Sequence, residues 1–112
     1  MIDEYLSNNR LDRIKISFGK PFHIFIEEKI FSNINSYDRF LNWVSGEFEL
    51  NLQDNTDGLK VFFPNERLSV SKLDSNGVNI IAEIKVEAKI INKTFKLIHK
   101  LDAIYNGVIL DE

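Results

Sequence analysis

The stretch that decides the fold runs from residue 78 to residue 90 and reads Val78-Asn79-Ile80-Ile81-Ala82-Glu83-Ile84-Lys85-Val86-Glu87-Ala88-Lys89-Ile90. Counting from Val78, seven alternate positions are apolar, and most of the positions between them are polar or charged. This period of two is typical of a strand with one buried face and one solvated face. It predicts an antiparallel sheet, because strands of a parallel sheet are apolar on both faces.

Similar patterns flank this strand. The alternation resumes after residue 94 and predicts a second long strand over residues 95–105, which would form a hairpin with 78–90. Upstream, residues 68–72 lead into the turn at 74–77. A three-residue loop over 75–77 would place Val70 opposite Ala82, whereas a two-residue turn would set serines against the core.

The first two thirds of the chain predict four more strands and one helix. Residues 11–18 and 22–26 alternate around a Gly-Lys-Pro break and predict a hairpin. Residues 36–45 carry apolar side chains at helical spacing and predict a short amphipathic helix. The stretch 47–52 predicts a strand with Phe48, Leu50 and Leu52 inward, and 59–63 predicts a strand that ends at Pro64.

The predicted order β-β-α-β-β-β-β-β contains no strand–helix–strand repeat that would require a parallel sheet. We therefore expect an α+β fold, in which a curved antiparallel sheet or half-barrel carries one short helix packed on its apolar face. The length of 112 residues fits a single domain over residues 1–112.

The composition indicates the cellular compartment of the protein. The chain has no cysteine, which excludes disulfides and thiolate metal sites and favours a reducing, cytoplasmic compartment. Its first residues are acidic rather than basic, unlike an export signal, and no apolar run is long enough to cross a membrane. We expect a cytoplasmic protein with no membrane partner.

Residues with obvious chemistry are few. His23 and His99 fall within predicted strands, with no ligand spacing for a metal and no neighbouring nucleophile motif. Glu47 and Glu49 could form an acid/base pair, but two glutamates on an exposed strand face are more simply a solvated edge. The sequence predicts neither catalytic residues nor a cofactor nor a metal, and favours a protein that is not an enzyme.

Charge is segregated along the chain, although the net charge is only −3. Residues 46–58 contain acids and no base, and residues 89–100 contain four lysines and no acid. The weak overall charge argues against nucleic acid as a partner. An acidic surface beside an exposed aromatic suits a basic protein instead. The predicted partner-binding residues are Trp43, Glu47, Glu49, Asp54 and Asp57.

This small, acidic, cysteine-free α+β chain, in which Ile, Asn and Lys make up about a third of the residues, resembles bacterial immunity proteins of contact-dependent inhibition and polymorphic toxin systems. The likeness is one of general character, without a shared motif. It implies a cytoplasmic protein that binds one cognate toxin, often a nuclease, and covers the active site of that toxin.

Two other functions are open at this point. The sheet and helix could enclose a ligand pocket, with His99 or Tyr105 pointing inward, as in a small-ligand carrier or an enzyme. Alternatively, residues 59–63 could be an exposed edge strand that joins a larger assembly.

Overall fold

The structure is a computed structural model that describes residues 14–19, 21–75 and 79–110. Within these ranges, six strands and two helices follow one another in the order β-β-α-β-β-β-β-α. The elements are β1 Ile14–Gly19, β2 Phe22–Phe31, α1 Ile34–Glu47, β3 Leu52–Asp54, β4 Leu59–Phe63, β5 Glu66–Ser75, β6 Ile80–Ala88 and α2 Ile91–Leu110. Residues 11–13 of the first predicted strand and residues 76–78 of the predicted turn and strand lie outside the described ranges.

All six strands pair in one antiparallel, unclosed sheet with the order β1-β2-β6-β5-β4-β3. The predicted central strand is β6, which lies between β2 and β5 and buries Ile80, Ala82, Ile84, Val86 and Ala88. The prediction of an α+β fold with an antiparallel sheet is confirmed. Among the described strands, β1 and β3 form the two edges.

Both helices pack on one face of this sheet. The ring of Phe31, at the end of β2, contacts Phe40 of α1 and Tyr105 of α2 in the centre of the core. The side chains of Phe31, Phe40 and Leu68 are completely buried there. The opposite face of the sheet carries Ile24, Ile26 and the ion pair between Arg67 and Glu87, and neither helix covers it.

Helix α1 is longer than predicted and begins earlier. The side chain of Asn33 accepts a hydrogen bond from the N–H of Ser36 at 2.9 Å and caps the helix. Ser36 itself is buried inside the first turn. At the other end, the N–H of Phe48 donates to the carbonyl of Val44 and closes the last turn.

The prediction of one short helix is wrong, because residues 91–110 form the long helix α2 in place of a second strand over 95–105. The side chains of α2 that face the sheet are spaced by three or four residues: Thr94, Leu97, Ile98, Leu101, Ile104, Tyr105 and Val108. That spacing makes one continuous stripe along a helix, whereas a strand would split it between two faces. The predicted 78–90/95–105 hairpin therefore does not form.

Two further predictions are corrected. The stretch 47–52 is not a strand with inward leucines, because α1 extends to Glu47 and a turn follows before the short strand β3. In the hairpin of β5 and β6, Val70 lies opposite Ile84 instead of Ala82. The connection between β5 and β6 is longer than the predicted loop, and the register shifts once more between Lys72 and Asp74. Together these two differences move the pairing of β5 with β6 by two residues. Because side chains alternate between the faces of a strand, a shift by two residues keeps Val70 on the buried face.

Candidate functional site

The five predicted partner-binding residues fall on two neighbouring surfaces. Trp43 and Glu47 lie one helical turn apart on α1, beside α2. Glu49, Asp54 and Asp57 follow after the helix, along the β3 edge of the sheet and its loop. The predicted exposed strand face that would carry both Glu47 and Glu49 is absent, since one residue ends a helix and the other lies in a turn.

Trp43 is 64% exposed, an unusual degree for the largest apolar side chain. It lines one wall of an open groove of about 240 Å³ between the two helices. Ala103, Ile104, Gly107 and Val108 of α2 also line the groove. None of these five lining residues is charged, so the described part of the lining is an apolar surface.

Glu47 forms an ion pair that connects the acidic segment of the chain, residues 46–58, with the basic segment, residues 89–100. Its carboxylate accepts a hydrogen bond from the ammonium of Lys100 in α2 at 3.0 Å, and both side chains remain partly exposed. Lys100 also lies over the ring of Phe48, 5.8 Å from its centroid. The negative charge of Glu47 is therefore partly compensated within the protein.

The β3 edge is attached to α1 through one glutamine. The side-chain amide of Gln53 donates to the carbonyls of Ser45 and Phe48, and its oxygen accepts a hydrogen bond from the hydroxyl of Ser45. Because Gln53 points toward the helix, its neighbours Leu52 and Asp54 point to the opposite face of the strand. Leu52 is 74% exposed as a result, and Leu50 in the preceding turn is 97% exposed.

We call the group Glu49, Leu50, Leu52, Asp54 and Asp57 the acidic edge. It combines two solvent-exposed leucines with three carboxylates on about nine consecutive residues. Among the described residues, Glu49 and Asp57 have no ion pair, while Asp54 lies across from Lys60 in the β3–β4 ladder. The acidic edge therefore presents uncompensated negative charge next to apolar surface.

The pKa values of Asp54 and Tyr37 are both shifted, and both shifts involve residues of the loop that follows β3. The hydroxyl and the N–H of Thr56 both donate to one oxygen of Asp54, at 2.6 and 2.9 Å, and these hydrogen bonds lower the pKa of the exposed Asp54 carboxyl. Burial, followed by the charges of Asp38 and Asp57, raises the pKa of the Tyr37 hydroxyl. Asp57 thus lies within electrostatic reach of α1.

Tyr105 and His99, which were expected to point into a pocket between sheet and helix, are placed differently in the structure. The Tyr105 hydroxyl donates to the backbone carbonyl of Ile30 at 2.6 Å, and its ring packs edge-on against Phe31 and Phe40. His99 is exposed on α2 and does not point inward as predicted. Within residues 14–19, 21–75 and 79–110, no group of three or more His, Cys, Asp or Glu side chains could hold a metal ion.

The expectation of an exposed edge strand at 59–63 is also wrong. Strand β4 pairs with β3 on one side and with β5 on the other, and Leu59 and Val61 are buried.

In the described part of the chain, neither α1 nor α2 has the length and apolar character of a membrane-spanning helix.

Sequence reasoning missed Leu50 and Leu52 as surface residues. Both continued an alternation with Phe48, and alternation alone assigns all three to one face. Phe48 is buried and forms an edge-on contact with Phe63, while the chain turns immediately after it. The available signal was Gln53, a polar residue that directly follows Leu52 and is able to bond the exposed carbonyls at the end of a helix.

No family model matches the chain, and no curated protein shows a significant match to it.

Proposed function

We propose that this protein is a protein-binding module that neutralises a basic partner, in the manner of an immunity protein bound to its cognate toxin. The observation that carries the proposal is the acidic edge, where Leu50 and Leu52 are 97% and 74% exposed between carboxylates that form no ion pair within the described part of the chain. Exposed apolar side chains rimmed by charge are typical of interaction sites. The partner is cytoplasmic and carries basic groups around an apolar cleft.

The two parts of the acidic edge have different roles in this proposal. The leucines supply the apolar contact that holds the complex together, because their side chains leave water only when the partner binds. The carboxylates of Glu49 and Asp57 attract a basic partner over a distance and speed the encounter. A nuclease active site, which attracts phosphates, would have the complementary charge, and an acidic surface covering it would block substrate.

Affinity capture tests the proposal. The tagged protein is incubated with a lysate of the source organism, washed at low and at high salt, and the retained proteins are identified by mass spectrometry. We expect one stoichiometric partner with basic surface, retained less well at high salt, whose activity falls when this protein is added. The absence of a stoichiometric partner at either salt concentration, or a partner whose activity is unaffected, contradicts the proposal.

A further inference from the structure

A pocket of about 240 Å³ lies at the end of the sheet where β4 turns into β5. Phe22 of β2, Phe62 of β4 and Arg67 of β5 line it, together with Lys89, which follows β6. Phe62 pairs directly with Arg67, so both side chains lie on the face of the sheet that neither helix covers. Lys89 is two residues beyond Glu87, and alternation places its side chain on that same face.

The two phenyl rings lie on opposite sides of the pocket. Strands β6 and β5 separate β2 from β4, so Phe22 and Phe62 are about 14 Å apart across the sheet. Both rings are only partly buried. Pro64 and Asn65, in the turn between β4 and β5, line the end of the pocket. The N–H of Lys89 donates to the carbonyl of Asn65 at 3.2 Å, which fixes the backbone of Lys89 against that turn.

Positive charge is in excess between the two rings. The Nε–H of Arg67 donates to one carboxylate oxygen of Glu87 at 2.9 Å, and Nη2 lies 2.8 Å from the same oxygen. This contact orients the guanidinium and leaves its other N–H groups able to bind a ligand. Lys89 forms no ion pair with any described residue. Because Glu87 compensates Arg67 alone, the charge of Lys89 is uncompensated.

Glu66 also contributes to the lining, but its carboxylate is directed away from the uncovered face. Glu66 pairs with Phe63, and the ring of Phe63 contacts the buried Phe48 edge-on. Directly paired residues share a face of the sheet, so the side chain of Glu66 lies on the helix-covered face. One of its carboxylate oxygens is buried, in agreement with that orientation.

We propose that this pocket binds an aromatic carboxylate, with the ring of the ligand between Phe22 and Phe62 and its carboxylate bound by Lys89 and Arg67. Phenyl rings pack favourably edge-on or offset against another aromatic ring. A carboxylate accepts charge-assisted hydrogen bonds from an ammonium and a guanidinium, and one uncompensated ammonium matches one negative charge.

The size of the pocket and its position define the ligand further. A volume of about 240 Å³ is below that of pockets for drug-sized ligands and suits one ring with a short acid chain. A free aromatic acid and a peptide that ends in phenylalanine share this chemistry. The lining contains no residue of the acidic edge, so this inference does not rest on the proposed function.

Titration of the ¹⁵N-labelled full chain with phenylacetate, followed by ¹H–¹⁵N NMR spectra, tests the proposal. We expect saturable shifts of the amides of Asn65, Arg67 and Lys89, with a Kd on the order of 1 mM for so small a ligand. Phenylacetamide has the same ring without the charge and should bind about tenfold or more weakly. The peptide Gly-Gly-Phe separates the two sources: tighter binding than phenylacetate identifies a chain terminus, and weaker binding identifies a free acid.

Substitutions of single lining residues locate the two parts of the ligand. Lys89→Gln should weaken phenylacetate binding by about tenfold and leave the Tm unchanged, because the ammonium is exposed and has no ion pair among the described residues. Lys60→Gln is the matched control, since Lys60 is an exposed lysine two residues before Phe62, on the same face and outside the lining. It should bind phenylacetate as the wild type does. Phe62→Leu should weaken binding of phenylacetate and phenylacetamide alike, because the ring contact is lost.

Several results would overturn the proposal. The absence of saturable shifts at about 10 mM phenylacetate excludes the site, and equal binding of phenylacetamide shows that the carboxylate is not recognised. Shifts confined to the groove beside Trp43 place the ligand elsewhere. A Lys89→Gln variant that binds like the wild type removes Lys89 from the site. The comparison of acid and amide uses the wild type, so it decides the question even where Phe62→Leu fails to fold.

Discussion

The ammonium nitrogen of Lys29 lies 2.7 Å from a carboxylate oxygen of Asp102, which joins strand β2 to helix α2 beneath the protein surface. Lys29 is only 7% exposed. A second carboxylate, from the buried Glu27, lies 3.3 Å away, and the ring of Tyr105 lies under the ammonium at 4.6 Å from its centroid. The helix that sequence periodicity did not reveal is thus attached to the sheet by a buried charge cluster as well as by its apolar stripe.

Replacing Lys29 by methionine should lower the free energy of unfolding by about 3 to 5 kcal/mol. The loss arises because two carboxylates in poorly solvated surroundings lose the cation that they share. Urea denaturation at pH 7 measures it. Lys100→Met, which breaks the exposed pair with Glu47, is the control and should cost at most about 1 kcal/mol. Equal losses in the two variants would show that the Lys29 cluster does not stabilise the fold.

The same change from glycine to alanine should have opposite effects at two positions. Gly58 has a φ of +79°, and a methyl group there would overlap the carbonyl oxygen of Val70. We expect Gly58→Ala to destabilise the protein by more than about 2 kcal/mol, from the left-handed backbone and the clash together. Gly46→Ala in α1 should instead stabilise by about 0.5 to 1 kcal/mol. Thermal unfolding of both variants measures the contrast, and a stable Gly58→Ala variant would contradict the described turn.

Most of the fold was predictable because the first seven elements have strong local patterns. Six of the first seven elements were predicted in the right order and type, and the exception is β3, which shares only Leu52 with the strand predicted over 47–52. The last element, helix α2, was predicted as a strand, because the apolar residues of 95–105 fit a period of two as well as a period of 3.6. Ile98, Ile104 and Val108 decide between the two, since they fall outside the alternation and complete the helical stripe.

The candidate site was less predictable, because it depends on contacts distant in sequence. The acidic and basic segments were recognised, but only the fold brings Glu47 to Lys100, 53 residues later. The exposure of Leu50 and Leu52 likewise depends on where α1 ends and on how Gln53 bonds to it. Hydrophobic alternation predicts which residues share a face and does not predict which face is covered.

The pKa of Asp54 should rise toward its ordinary value of about 3.9 when Thr56 is replaced by alanine, because the hydroxyl that donates to the carboxylate is lost. A group with a lowered pKa in the folded state stabilises the fold above its unfolded pKa and loses that effect as the pH falls through the folded pKa. The stability difference between wild type and Thr56→Ala should therefore be present at neutral pH and disappear in acid. A ¹³C NMR titration of the Asp54 carboxyl measures the pKa, and Thr56→Ser, which keeps the hydroxyl, should titrate like the wild type. An unchanged Asp54 pKa in Thr56→Ala would contradict the hydrogen bond.

Charge reversal at Glu49 should slow association with the captured partner without changing the Tm. Glu49 is exposed and has no ion pair among the described residues, so Glu49→Lys affects the long-range attraction alone. Glu47→Lys should in addition lower stability by up to about 1 kcal/mol, because it places a lysine beside Lys100. Stopped-flow association at several salt concentrations measures the effect. A rate for Glu49→Lys equal to that of the wild type at low salt would exclude electrostatic attraction by the acidic edge.

The double substitution Leu50→Asn and Leu52→Asn should weaken partner binding by about tenfold or more and leave the fold intact. Both side chains are already in water in the free protein, so the free energy of unfolding should change by no more than about 0.5 kcal/mol. In the complex the same side chains would be buried, and their removal forfeits that burial. Isothermal titration with the captured partner and urea denaturation of the free protein together measure the two quantities. Leu73→Asn, at an exposed leucine on β5 outside the acidic edge, is the matched control and should bind normally. If the double variant binds as tightly as the wild type, the acidic edge is not the contact surface. If the variant loses stability along with binding, the leucines support the fold, and the loss of binding carries no information about the interface.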